Sequence, residues 1–272
     1  MGALAHAIVE PWSHGFMQRA MAELVLVGII GGVLGCWVVF YELSYSAESL
    51  AHALFPGLVV AALAGVPLLI GGAVGVLGAA ILVATAGRTP EIGHDAAVAV
   101  VITGLFGLGV VLALSPASPP GLAGLLFGDL LGVTGSDIKL AATLATAAII
   151  ALVLCHRLLL AVGFDRSAAR AFGARPLVAD LALLTLLAAA ILIGVQGLGN
   201  LLVLAVIIGP AATARLYASR MTPMMALAAA IAIAGGAAGL YLSYYADTAA
   251  GASVAIVLVA TYVLALAARQ AL

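Results

Sequence analysis

Residues 139–162 read KLAATLATAAIIALVLCHRLLLAV, and no charged side chain stands between Lys139 and Arg157. At about 1.5 Å per residue, a helix over such a run crosses a hydrocarbon layer about 30 Å thick. Comparable runs occupy 24–41, 49–65, 67–86, 96–115, 178–195, 198–218, 223–245 and 252–268, which makes nine candidates. The composition agrees: 65% of the residues are hydrophobic and 8% charged, and the 32 glycines suit helices that pack backbone to backbone. The chain reads as an all-α polytopic membrane protein with eight to nine transmembrane helices. Two runs, 49–65 and 198–218, are weakened at Pro56-Gly57 and Gly209-Pro210, so they are expected to bend or to be partly re-entrant. Residues 116–136 carry Pro119, Pro120, Gly121, Gly124, Gly128 and Gly132 and are too broken to span. A single transmembrane domain is expected over 1–272, with a short N-terminal leader at 1–22 that lacks the basic-then-apolar order of a signal peptide.

The sparse charges orient the chain. If the loop with Arg166, Arg170 and Arg175 is cytoplasmic, nine alternating spans also place Arg88, Arg157, Arg215, Arg220 and Arg269 inside. Only Arg19 and Lys139 then lie outside, as the excess of cytoplasmic Lys and Arg requires. A net charge of −1 offers no basic tract for nucleic acid. Cys36 and Cys155 lie within apolar runs, where cysteine acts as a small hydrophobe, and neither a disulfide nor a thiolate metal site is expected. There is no Gly-x-x-x-x-Gly-Lys-Ser/Thr, so any coupling to ATP needs a partner. The zinc-protease pattern His-Glu-x-x-His is absent as well, which argues against an intramembrane metalloprotease.

Two polar islands interrupt this background. Glu48 and His52 stand four residues apart and share one face of a helix. An oxygen and a nitrogen donor together suit a divalent transition metal; the plainer reading is an intrahelical hydrogen bond that hides two polar groups, or an interfacial pair facing water. Residues 163–176 form the second island: Asp165 is a good N-cap, Ser167 to Phe172 are enough for about two turns, and Gly173 followed by Pro176 ends them. By the residues alone, this is either a basic knob projecting into the cytoplasm or a simple connection. His94, Asp95 and Asp129 are candidates to line a path, whereas Asp95, Asp180 and Asp247 near helix ends also suit structural capping.

These blocks, in this order, resemble the ABC-3 permeases of bacterial ABC importers for zinc, manganese and ferrous iron. The resemblance is carried by Phe16-Met-Gln-Arg-Ala20, by Glu48-Ser-Leu-Ala-His52-Ala-Leu-Phe-Pro56-Gly57 and by Asp95 through Gly104-Leu-Phe-Gly-Leu-Gly-Val-Val-Leu112. Leu126-Phe-Gly-Asp-Leu-Leu-Gly132, Val162-Gly-Phe-Asp165 with Arg170-Ala-Phe-Gly173, and Pro210-Ala-Ala-Thr-Ala-Arg-Leu216 extend it. It implies a type II-like importer fold in the bacterial inner (cytoplasmic) membrane, a homodimer, cytoplasmic ATP-hydrolysing subunits and an extracytoplasmic metal-binding protein that delivers the ion. It further implies that Glu48 and His52 meet the passing metal and that Asp165, Arg166, Arg170 and Gly173 belong to the coupling helix that docks on the ATPase. The permease itself would be neither an enzyme nor the holder of a permanent cofactor; the transported Zn²⁺, Mn²⁺ or Fe²⁺ is cargo. Two positions depart from the family block, Glu48 where Asp is usual and Ala51 where Ser is usual. Doubled by a two-fold axis, the pair would offer four N/O ligands, enough for tetrahedral zinc, and this mixed set favours zinc over the more oxygen-loving manganese. The competing class is a proton-coupled secondary transporter with Glu48, His94 or Asp95 as relay.

Overall fold

A computed structural model describes residues 9–86, 94–116, 118, 121–122 and 124–271. All nine runs are helices. After a single 3-10 turn at Glu10–Ser13 they are α1 (Gly15–Phe40), α2 (Ser44–Ala64), α3 (Leu68–Ala86), α4 (His94–Ala113), α6 (Gly135–Phe164), α8 (Pro176–Leu198), α9 (Val203–Tyr217), α10 (Met221–Ala246) and α11 (Ala250–Gln270). Two short helices, α5 (Gly124–Phe127) and α7 (Arg166–Ala171), fill the irregular stretches between them. Six of the nine are both long and apolar enough to cross a membrane; α3, α4 and α9 contribute shorter apolar segments. The first helix begins at Gly15, inside the expected leader, and carries the exposed Arg19 and the buried Glu23 in the turns before the apolar run.

Local chemistry sets several boundaries. Thr134 and Asp137 form a reciprocal capping box that starts α6, the Thr134 N–H donating to Asp137 Oδ2 at 2.9 Å. Gly65 ends α2 in the left-handed conformation. Neither internal proline breaks its helix: α2 runs on through Pro56 and α9 through Pro210. The expected span 198–218 is shortened at its start instead, where Gly199 at φ 77 turns the chain out of α8. That turn meets the irregular stretch before α6, with the Asn200 N–H donating to Leu125 O at 2.9 Å and the Asp129 N–H to Gln196 O at 3.3 Å. Gly128 and Gly199 approach backbone to backbone, both with positive φ, and a Cβ on either would collide with the other segment.

Helix α1 is the axis of the molecule, packed by α10, α9, α6 and α8. Small residues make this possible: a Cβ at Gly35 would strike the Ile207 carbonyl, and Gly32 rests against the Ala228–Ala229 backbone. Helices α3 and α4 pack chiefly on α2 and on each other, forming a lobe attached through α2. Gly57 of α2 lies against Gly71 and Gly75 of α3 in the same backbone-to-backbone manner. The connectivity fits the charge-based orientation: Tyr41, at the end of α1, donates its hydroxyl to Leu159 O at 2.7 Å near the end of α6. At the opposite ends, Arg19 Nε donates to Val133 O at 2.9 Å.

Candidate functional site

The two polar islands are built in contrasting ways. On α2, helical spacing brings Glu48 Oε1 to 3.9 Å from His52 Nε2, too long for a hydrogen bond. The pair therefore converges without an intrahelical hydrogen bond. The Glu48 side chain is 59% exposed and that of His52 23%, so the carboxylate faces outward and the imidazole lies half-sunk behind it. Phe106 of α4 covers the imidazole, with ring centroids 4.3 Å apart, and Phe55 in turn packs on Phe106. Buried on that side, Nδ1 has no hydrogen-bond partner. Pro56 adds a further feature. It has no N–H to give to the His52 carbonyl one turn back, so that oxygen is left without its helical donor.

Among the described residues no group of three or more His, Cys, Asp or Glu could hold a metal, and none of them completes the Glu48/His52 pair. His94 begins α4, but the side chains of His94 and Asp95 lie outside the described residues. Asp129 is exposed and accepts the Gly132 N–H at 3.0 Å, holding a turn. Asp180 and Asp247 also have local roles, Asp180 binding Arg166 and Asp247 ending α10 in the left-handed conformation. Cys36 and Cys155 are free thiols.

The second island is self-contained. Asp165 Oδ1 accepts the N–H groups of Ser167 at 2.8 Å and Ala168 at 2.9 Å, together with the Ser167 hydroxyl at 2.6 Å. The Ser167 hydroxyl first, and the two amides after it, hold the Asp165 carboxyl below its ordinary value. Helix α7 closes with Gly173 N–H on Arg170 O and Ala174 N–H on Ala169 O, a Schellman ending in which Gly173 takes φ 84. Arg166 forks onto Asp180 of α8, at 2.9 Å to Oδ2 and 2.8 Å to Oδ1, and lies over the Tyr41 ring. This clamp raises the Arg166 pKa and ties the knob to the bundle. Arg170 and Phe172 are left projecting, Phe172 at 91% exposure.

Phe106 is the site residue that reading the chain by itself passed over. It sits in the Gly104-to-Leu112 block, yet only the packing of α4 on α2 shows what it covers.

A family model described as the ABC 3 transport family matches residues 13–269. The chain belongs to that family. Among its ABC 3 relatives, a "Probable iron transport system membrane protein" of Haemophilus influenzae is 32% identical over 260 residues, covering 96% of each chain. The "Manganese transport system membrane protein MntC" of Halalkalibacterium halodurans is 32% identical over 256 residues, covering 94% of this chain and 87% of that one. Among solved structures, "PsaBC from Streptococcus pneumoniae in complex with Fab" superposes with a TM-score of 0.90 at 27% identity, over 96% of this chain and 95% of that chain. This ABC 3 protein is a multi-pass membrane permease subunit of a bacterial ABC transporter, with no catalysis of its own.

Proposed function

We propose that the chain is the membrane path of an ATP-driven importer for manganese or ferrous iron, and that the ion meets Glu48 and His52 on its way through. The carrying observation is the unsatisfied pair itself: two donors 3.9 Å apart on one helix face, the carboxylate open and the imidazole braced by Phe106. One chain supplies two ligands, so a homodimer with α2 near its axis would supply four. Zinc was the preferred cargo on ligand type alone. The names carried by the relatives favour manganese or iron instead. In this reading an extracytoplasmic binding protein delivers the ion and ATPase subunits grip the Asp165–Gly173 knob, with Arg170 and Phe172 presented to them.

The test uses the complete transporter in sealed vesicles. Uptake of radiolabelled manganese is expected to follow ATP rather than a proton gradient, and to be competed by ferrous iron more effectively than by zinc. Glu48→Gln and His52→Ala should each abolish most of it while leaving membrane insertion intact. Wild-type uptake by both variants would remove the pair from the path, and uptake driven by a proton gradient without ATP would replace the importer with a secondary carrier.

A further inference from the structure

At the cytoplasmic ends of α1, α6, α9 and α10 lies a cavity of about 570 Å³ that has no part in the metal path. Its polar wall holds Arg215 in the last turn of α9, Arg220 in the turn that follows, and His156 of α6. Among the described residues neither arginine has an ion-pair partner, and no acidic side chain lines the cavity. Arg220 is also the N-cap of α10 and makes no side-chain cap; with Pro223 lacking an N–H and the Met224 N–H on Arg220 O, the amides of Met221 and Thr222 are left without a helical acceptor at residues that line the same cavity. Two guanidiniums, a helix N-terminus and an imidazole thus converge on one volume, and their shared chemistry is that of a phosphate.

The opposite wall decides where that phosphate comes from. It is apolar, made by Phe40, Leu160 and Phe164. A second cavity of about 420 Å³ also borders His156 and, with Arg157, is lined by the apolar Val33, Ile149 and Met225. Val33 precedes Phe40 by seven positions on α1, placing it about 10 Å deeper toward the bilayer centre. The two cavities share His156 in their walls: one carries Arg215 and Arg220, and the other is mostly apolar apart from His156 and Arg157. Free phosphate would use only the former.

We propose that Arg215, Arg220 and the N-terminus of α10 bind the headgroup phosphate of an anionic phospholipid, one of whose acyl chains lies in the groove between α1, α6 and α10. The bound lipid acts as a fixed cytoplasmic strut between α6, which leads into the knob, and the α9–α10 turn.

The complete transporter, stripped of lipid in detergent, is titrated with phosphatidylglycerol, phosphatidylcholine or inorganic phosphate and the adducts counted by native mass spectrometry. Wild type should hold phosphatidylglycerol about thirty-fold more tightly than the Arg215→Gln/Arg220→Gln variant, from a factor of about five for each basic residue. Phosphatidylcholine should bind weakly to both. Arg269→Gln, at the end of α11, should behave as wild type, and Arg215→Lys/Arg220→Lys should recover most of the binding. Each variant is checked for a single elution peak and for retention of its ATPase partner, so that loss of lipid is not loss of fold. Equal phosphatidylglycerol binding by wild type and the double Gln variant overturns the proposal. So does arginine-dependent binding of inorganic phosphate without a preference for the lipid, which makes the ligand a soluble anion.

Discussion

The Glu48/His52 face and the α7 knob are both short polar interruptions of an apolar chain, and they are finished to different degrees. In the knob Asp165, Arg166 and Ser167 all have partners within the chain: Asp165 takes three donors, Gly173 closes the helix and Arg166 is forked onto Asp180. On α2 the carboxylate and imidazole stop short of each other, Nδ1 is unpartnered, and a carbonyl has lost its helical donor. A part that transmits force benefits from being rigid before its partner arrives. A part that holds a passing ion must be incomplete until the ion is there, since a satisfied pair would have to break its own bond first. Incompleteness in one region and completeness in the other are what the proposed roles require.

The sharpest way to break this contrast is to remove ligands. His52→Ala and Glu48→Gln are expected to lower ATP-dependent manganese uptake at least about ten-fold, more than most changes to groups that merely support a ligand. Purified Glu48→Gln should retain wild-type thermal stability, and His52→Ala should lose no more than about 0.5–1.5 kcal/mol, the worth of its ring contact with Phe106. A loss of stability matching the loss of uptake would show the pair to be structural after all.

Removing the brace should do less. Phe106→Ala leaves both ligands but frees the imidazole, and is expected to reduce uptake by roughly two- to ten-fold, equivalent to the 0.5–1.5 kcal/mol of a ring pair. Phe106→Tyr should restore it. Equal uptake by wild type and Phe106→Ala would mean that the ring only fills space.

On the knob, Arg166→Lys exchanges a two-pronged contact for a point charge. The pair is largely exposed, so the cost is at most about 1 kcal/mol. Hydrogen exchange over 166–174 should accelerate modestly, and ATPase activity should become less dependent on metal delivery. The smallest effect is one of pH. The Asp165 carboxyl is held below its unfolded value, so its cap is fully present above the ordinary aspartate pKa and is lost as pH falls through the lowered folded value. Amide protection at Ser167 and Ala168 should therefore be flat from neutrality down to mildly acidic pH and then fall. In Asp165→Asn, protection should not change with pH over this range.

The helices were legible because hydropathy is a local signal: each of the nine runs became a helix, and Asp165 and Gly173 announced the ends of the knob. What stayed hidden depended on neighbours remote in sequence. Pro56 looked like a breaker, but α2 runs on through it where Gly57 packs against α3. Arg166 looked like a free docking charge until Asp180 of the next long helix came within reach. Phe106 had no signature at all, since covering an imidazole asks only for an aromatic ring at the right place on another helix.

Pro56 is compatible with an unbroken α2, yet it leaves that helix one bond short at a telling position. Outward of it, Gly57 clamps the chain to α3; inward, an arm of roughly 12 Å leads back to Glu48. A change of about 10° at such a joint sweeps the end of the arm by about 2 Å, the length of a single metal–oxygen bond. With its outer half anchored, α2 is a lever on which a small rotation suffices to make coordination or to break it.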